Sequence, residues 1–261
     1  GAERTGPPIL LGHLLPGLIA GGLRGSVVTA RGGPLLAVYR AAGADARAVA
    51  PGREPFEPLA AAGRRLGAAG LVERLQDRRR AQVVHRGDPA DLVYVNAATP
   101  PTAALLRALD PAPSTPVLLH VHELDVGLRL TLDDRDRRLL LDRADHVVAA
   151  SEPVRSLLVD GHGIDPARIT TCPEFVDVAA VRPIDRAAAR RVLGVPEDAM
   201  VVGAVGLPDW RKDPEALLHA ARTIDRRPWV VWIGGDPASV DGRHLADEAR
   251  RVGLADRFVH H

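Results

Sequence analysis

The sequence predicts an α/β protein built from two doubly wound, parallel-sheet units in tandem. Three observations carry that prediction. Short runs rich in Val, Leu and Ala alternate with helical patterns from Ser26 to Thr171. A stretch near 178–185, containing Pro183, interrupts the alternation. The same pattern then restarts at Met200 and continues to Val259. Strands and helices alternating at this spacing produce parallel strands joined by crossover helices.

Taken in order, residues 7–23 predict a helix broken or kinked near Pro16, because proline removes a helical donor and crowds the preceding turn. Ser26 to Thr29 reads as a short strand, and Gly32-Gly33-Pro34 turns into a helix through Leu35, Leu36, Val38 and Tyr39. Gly43 stops that helix, and Ala46 to Val49 is a weak strand. Pro51 to Pro58 is a loop, and 59–82 reads as a helix. Asp91 to Asn96 is a strand, Pro101 to Leu109 a helix, and Val117 to Val121 a strand. A helix near 132–143 precedes the strand His146 to Ala150, and Ser151-Glu152-Pro153 opens a helix ending at Gly161. Ile169 to Thr171 closes the first unit, expected over 1–181. The second unit, expected over 182–261, places strands at 200–205, Trp229 to Ile233 and Phe258-Val259 around helices at 213–226 and 240–252.

The totals set limits on function. With 46% hydrophobic and 26% charged residues in 261, the chain folds as a soluble globule. A formal net charge of +1 gives no global attraction to nucleic acid. Cys172 is the only cysteine, so no internal disulfide forms and a reducing, cytoplasmic setting is expected. The apolar run Ile9 to Leu23 is too short to span a bilayer. The basic run Arg74 to Arg86 offers a peripheral membrane contact, but Glu73 and Asp77 at helical spacing make it read as a solvated helix face.

The richest stretch runs from Val201 to Ala221. A buried strand leads through a turn at Gly206 to a helix whose cap is Asp213 and whose first residue is Pro214. Arg211 and Lys212 stand just before it. A helix start presents free N–H groups and a positive dipole end, so two cations beside it suit a phosphate group. Lys212 is the only lysine in a chain that otherwise uses arginine, and a compact ammonium differs physically from a planar fork. Open α/β sheets bind ligands at the carboxyl ends of their strands. There the sequence offers Gly206, Ile233-Gly234-Gly235, Ser151 and His120-Val121-His122-Glu123. His120 and His122 share a face, yet no further ligands stand at metal spacing, so no metal is expected. His122 reads instead as a donor or acid/base near substrate, with Glu123 orienting it or holding a hydroxyl. Neither a Gly-x-Gly-x-x-Gly fingerprint nor a Gly-x-x-x-x-Gly-Lys loop occurs, which argues against a nicotinamide dehydrogenase.

Placed together, these pieces resemble the retaining nucleotide-sugar glycosyltransferases of the GT-B fold, the large family 4-like group that includes mannosyl- and glucosyltransferases. Gly1-Ala2-Glu3-Arg4 is similar to the end of that family's GGAER loop, Gly32-Gly33-Pro34-Leu35 to its GGPL turn, and Asp91-Leu92-Val93-Tyr94 to its PDVVH strand. His120 to Glu123 resembles its HxHE tip, and Ala144 to Ser151 its ADxVVAxS segment. Gly206 with Trp210-Arg211-Lys212 resembles its G…WRKG, Ile233-Gly234-Gly235 its IGGG, and Gly253 to Phe258 its LGLxDRV.

The resemblance implies two Rossmann-like domains, the first on the acceptor side and the second binding the donor. It implies that Arg211 and Lys212 neutralise the donor diphosphate, with Gly206, Gly234 and Gly235 nearby. It implies that His122 lies near the donor sugar, with Gly1 and Ser151 elsewhere in the cleft. No metal and no cofactor is implied beyond the nucleotide-diphosphate sugar used as substrate, and the acceptor is a small molecule, a glycan or a lipid. Three departures stand out. Asp213 replaces the usual glycine after the lysine, Glu174-Phe175-Val176-Asp177 replaces the usual Asn-Gly-Val-Asp, and the family's first strand and its paired glutamates have no counterpart between Gly1 and His261. The expectation is a glycosyltransferase truncated at both ends with an incomplete donor shell. A non-catalytic sugar- or nucleotide-binding module and a GT-B sugar-nucleotide epimerase are the alternatives.

Overall fold

The computed structural model describes residues 2–50, 78–86 and 89–261. The expected loop at Pro51 to Pro58, most of the helix expected over 59–82 and Gly1 lie outside the described residues; 78–84 are helical. The chain divides into two compact units, Gly1–Val178 and Ala179–His261.

In the first unit, helix α1 spans Gly6–Ala20 and continues through Pro16, so of the expected break or kink the break does not occur. Strand β1 (Ser26–Arg31), helix α2 (Leu35–Ala41) and strand β2 (Asp45–Ala50) follow. Gly33 is required at the turn between β1 and α2, because a Cβ there would lie 2.3 Å from the Ala2 carbonyl oxygen. Strands β3 (Val93–Asn96), β4 (Val117–Val121), β5 (His146–Ala149) and β6 (Ile169–Thr171) complete the unit. Helix α3 (Pro100–Leu109) opens on a capping box formed by Thr99 and Thr102.

A helix not expected from the sequence, α4 (Asp125–Thr131), precedes the one expected near 132–143, which is α5 (Asp134–Arg143), capped by Asp133. Ser151 accepts from the Val154 N–H at 3.4 Å and caps α6 (Glu152–Ser156), which widens into a π-turn over Leu157–Gly161.

Every strand pairing is parallel, as expected. Among the described residues, however, the strands of the first unit form two sheets. Strands β1 and β2 pair with each other, and β3-β4-β5-β6 form a separate four-stranded sheet. Periodicity identifies strands but does not say which edges meet. Val95, Leu119, Val121, Leu140, Val147 and Leu158 fill the core around the larger sheet, while Leu15, Leu35 and Tyr39 fill that around the smaller.

The second unit begins with α7 (Arg186–Leu193), a helix the sequence reading passed over, capped by Asp185. Strand β7 (Val201–Val205), helix α8 (Pro214–Arg222), strand β8 (Trp229–Ile233), helix α9 (Val240–Arg251) and strand β9 (Phe258–His260) follow. The sheet order is β7-β8-β9, all parallel. Leu218, Val230, Trp232 and Leu245 form its core. Among the described residues no helix is long and apolar enough to cross a membrane.

Candidate functional site

Two groups of side chains gather at the carboxyl ends of strands, one in each unit. In the first unit, Tyr94 and Asn96 lie two residues apart on β3, and His120 and His122 two apart at the end of β4, so each pair shares a face. Asn96 sits opposite His120 in the register. The side chains lean one step forward, giving two polar rungs. Tyr94 Oη lies 2.6 Å from His120 Nδ1, and Asn96 Oδ1 lies 3.2 Å from His122 Nε2. The two imidazoles stack with centroids 4.0 Å apart. Burial lowers the His120 pKa to about 4, helped by the neighbouring His122, and it drives the Tyr94 phenol up. His120 is therefore neutral at physiological pH, and its Nε2 has no hydrogen-bond partner among the described residues.

Glu123 does not hold the imidazole. Its Oε2 accepts the backbone N–H groups of Ala98 (3.2 Å) and His122 (3.1 Å), tying the loop after β3 to the loop after β4. Burial raises its pKa, and those two N–H groups oppose the shift. The carboxylate that reaches the ring is Glu174, whose Oε1 lies 2.7 Å from His122 Nδ1. Sequence reasoning noticed Glu174 only as a departure from a motif, because a contact across 52 residues leaves no mark in spacing. Ser151 stands at the end of β5 as a helix cap. No cluster of three or more metal-ligating side chains occurs among the described residues.

In the second unit, the structure brings Gly206, Lys212, Gly234 and Gly235 together. A Cβ on Gly206 would meet Lys212 Cγ at 3.2 Å, so the lysine stem lies along that glycine. Gly234, at φ +111°, would place a Cβ 2.9 Å from the Gly206 carbonyl oxygen, so two strand ends touch through bare backbone. Trp232 Nε1 donates to that same oxygen at 2.9 Å, and His260 Nε2 donates to the Gly234 oxygen at 2.8 Å. Trp232 and His260 were not singled out from sequence; the signal available was a polar-tipped ring at the end of an otherwise apolar strand. Lys212 makes no side-chain hydrogen bond or ion pair among the described residues. Arg211 is exposed and paired with Asp209 at 3.0 Å. Asp213 accepts the Ala216 N–H at 3.2 Å at the start of α8. The arrangement sets close-packed glycine backbone beside a helix start and an ammonium that is unpaired among the described residues, which suits an anion.

Residues 6–180 match the profile of Glycosyltransferase Family 4. The chain belongs to that family. A D-inositol 3-phosphate glycosyltransferase 2 of Catenulispora acidiphila is 39% identical over 131 residues, covering 46% of this chain and 31% of that protein. The chain thus spans about a third of the length of that family 4 relative. Anabaena HepE, solved in complex with UDP and glucose, is 17% identical with a TM-score of 0.73, over 100% of this chain and 66% of that one. Sucrose-phosphate synthase from Thermosynechococcus elongatus is 19% identical with a TM-score of 0.68, over 98% and 65%. These likenesses show the fold: α/β, of the two-unit Rossmann-like GT-B type.

Proposed function

We propose that this family 4 chain is part of a retaining hexosyltransferase that moves a sugar from a nucleotide-diphosphate donor to an acceptor. The observation that carries the reading is Lys212. Its stem is laid along Gly206, its ammonium is unpaired among the described residues, and Gly206 in turn packs against the positive-φ Gly234. A departing diphosphate gains negative charge as the glycosidic bond breaks, so a fixed cation at that point favours the transition state over the bound donor. Arg211 joins once it leaves Asp209. On this reading His122 is the group that meets the donor sugar, and Glu123 holds the loop that carries it. The reaction needs no metal and no cofactor. The relatives' names favour a phosphorylated polyol as acceptor, within the wider set of small molecules, glycans and lipids, and the HepE complex favours a uridine nucleotide. A cytoplasmic setting, with at most peripheral membrane contact, fits this chemistry.

Calorimetric titration of UDP into the chain and into Lys212→Ala tests the reading. A charge-assisted contact is worth about 1.5–3 kcal/mol, so affinity should fall roughly tenfold or more. Equal UDP affinity in both proteins removes Lys212 from the role. Tight binding of free sugar without any nucleotide requirement points to the non-catalytic module instead.

A further inference from the structure

We propose that Glu174 is a positioning residue that, together with Asn96, holds His122 as a doubly protonated imidazolium. The group offered at the end of β4 is then a cationic hydrogen-bond donor and not a base. The inference rests, for its catalytic meaning, on the reading of His122 as the sugar-facing group.

The argument is one of donors and acceptors. Asn96 Nδ2 donates to the Pro7 carbonyl oxygen at 2.8 Å. Turning the amide over would set one carbonyl against another, so its Oδ1 is fixed toward His122. That oxygen can only accept. The Glu174 carboxylate, 2.7 Å from the other ring nitrogen, also only accepts. Both nitrogens of His122 therefore face acceptors, and both contacts are satisfied only when each nitrogen carries a proton. The ring side chain is 6% exposed, so water cannot readily replace a lost partner, whereas the Glu174 side chain is 50% exposed.

The other titratable groups facing the ring fit this state. His120, stacked on it from β4, is neutral and adds no second cation. Tyr94 on β3 is held as the phenol. Glu123, on the loop after β4, aims its Oε2 at two backbone N–H groups. Cys172 and Glu174 follow β6, and Glu174 makes the only ion pair His122 has among the described residues. A carboxylate stands here where the resembling motif has asparagine, an amide that brings no negative charge to an imidazole.

The test is nitrogen-15 NMR of the chain labelled at histidine, at pH 7, with His122 assigned by its loss in His122→Gln. The expected result is a proton on both ring nitrogens in the parent. In Glu174→Gln the ring should revert to a single N–H, and in Glu174→Asp the two-proton pattern should return. A singly protonated ring in the parent, or an unchanged pattern in Glu174→Gln, overturns the proposal. The same substitutions in the full-length protein are then assayed for transfer from UDP-glucose across pH. Glu174→Gln should lose at least tenfold in kcat on the alkaline side, with donor KM changed less than twofold, and Glu174→Asp should recover most of it. If NMR shows the clamp while the kcat profile stays the same, the clamp stands and the sugar-facing role of His122 falls.

Discussion

His120 is buried and held neutral, with a pKa lowered to about 4, and burial also lowers that of His162. In the unfolded chain both titrate near 6.5. Between those values the unfolded state binds more protons than the folded one, so the stability due to these residues is complete above about pH 6.5. It is lost as the pH falls toward 4. Glu123 has the opposite sign: its raised pKa contributes stability that is present at low pH and lost as the pH rises through the folded value. The contribution of His120 alone makes the melting temperature fall as the pH drops from 7 toward 5. A His120→Gln variant should show a shallower slope in thermal melts by circular dichroism. A slope unchanged from the parent would mean that His120 is not neutral in the fold.

The start of α8 shows what one position asks of an element. Asp213 sits at φ +44°, in the left-handed region that a side chain occupies at a cost, while its carboxylate caps the helix. Asp213→Gly relieves the backbone and loses a cap that glycine replaces at a cost of only a few tenths of a kcal/mol. It should leave stability within about 0.5 kcal/mol of the parent. Asp213→Ala keeps the backbone cost and loses the cap, so urea unfolding should show about 1–2 kcal/mol less. Removing this carboxylate from beside Lys212 should also tighten UDP binding in both variants. The cap itself was legible in the sequence, because Asp-Pro before an apolar stripe is a local signal. So was the two-residue spacing of His120 with His122, which fixes a shared face; the matching pair Tyr94 and Asn96 on β3 was not picked out. Helix α7 was passed over although Asp185 before it and Gly194 after it are local start and stop signals; it is only eight residues long and buries none of them. Helix α4 is seven residues long and contains Gly127, too little for a periodic pattern. The partition of the first unit into two sheets, and the reach of Glu174 to His122, are long-range pairings that local pattern does not encode.

At the scale of the whole chain, each unit has its own apolar core, and residues 172–186 between β6 and α7 are all exposed. Exposed backbone between compact units is where proteases enter first. Brief elastase treatment should cleave, among the described residues, within Val178 to Val181, giving an N-terminal fragment that ends there, as mass spectrometry would show. First cleavage inside β3-β6 or β7-β9 would contradict the division into units. The lysine stem resting on Gly206 carries one more consequence. Because Lys212 is the only lysine in the chain, reductive methylation with carbon-13 formaldehyde marks a single side-chain nitrogen apart from the amino terminus. The second sheet thereby comes with its own resonance tag, and the arrival of any anion beside Gly206 can be watched as the movement of one methyl signal.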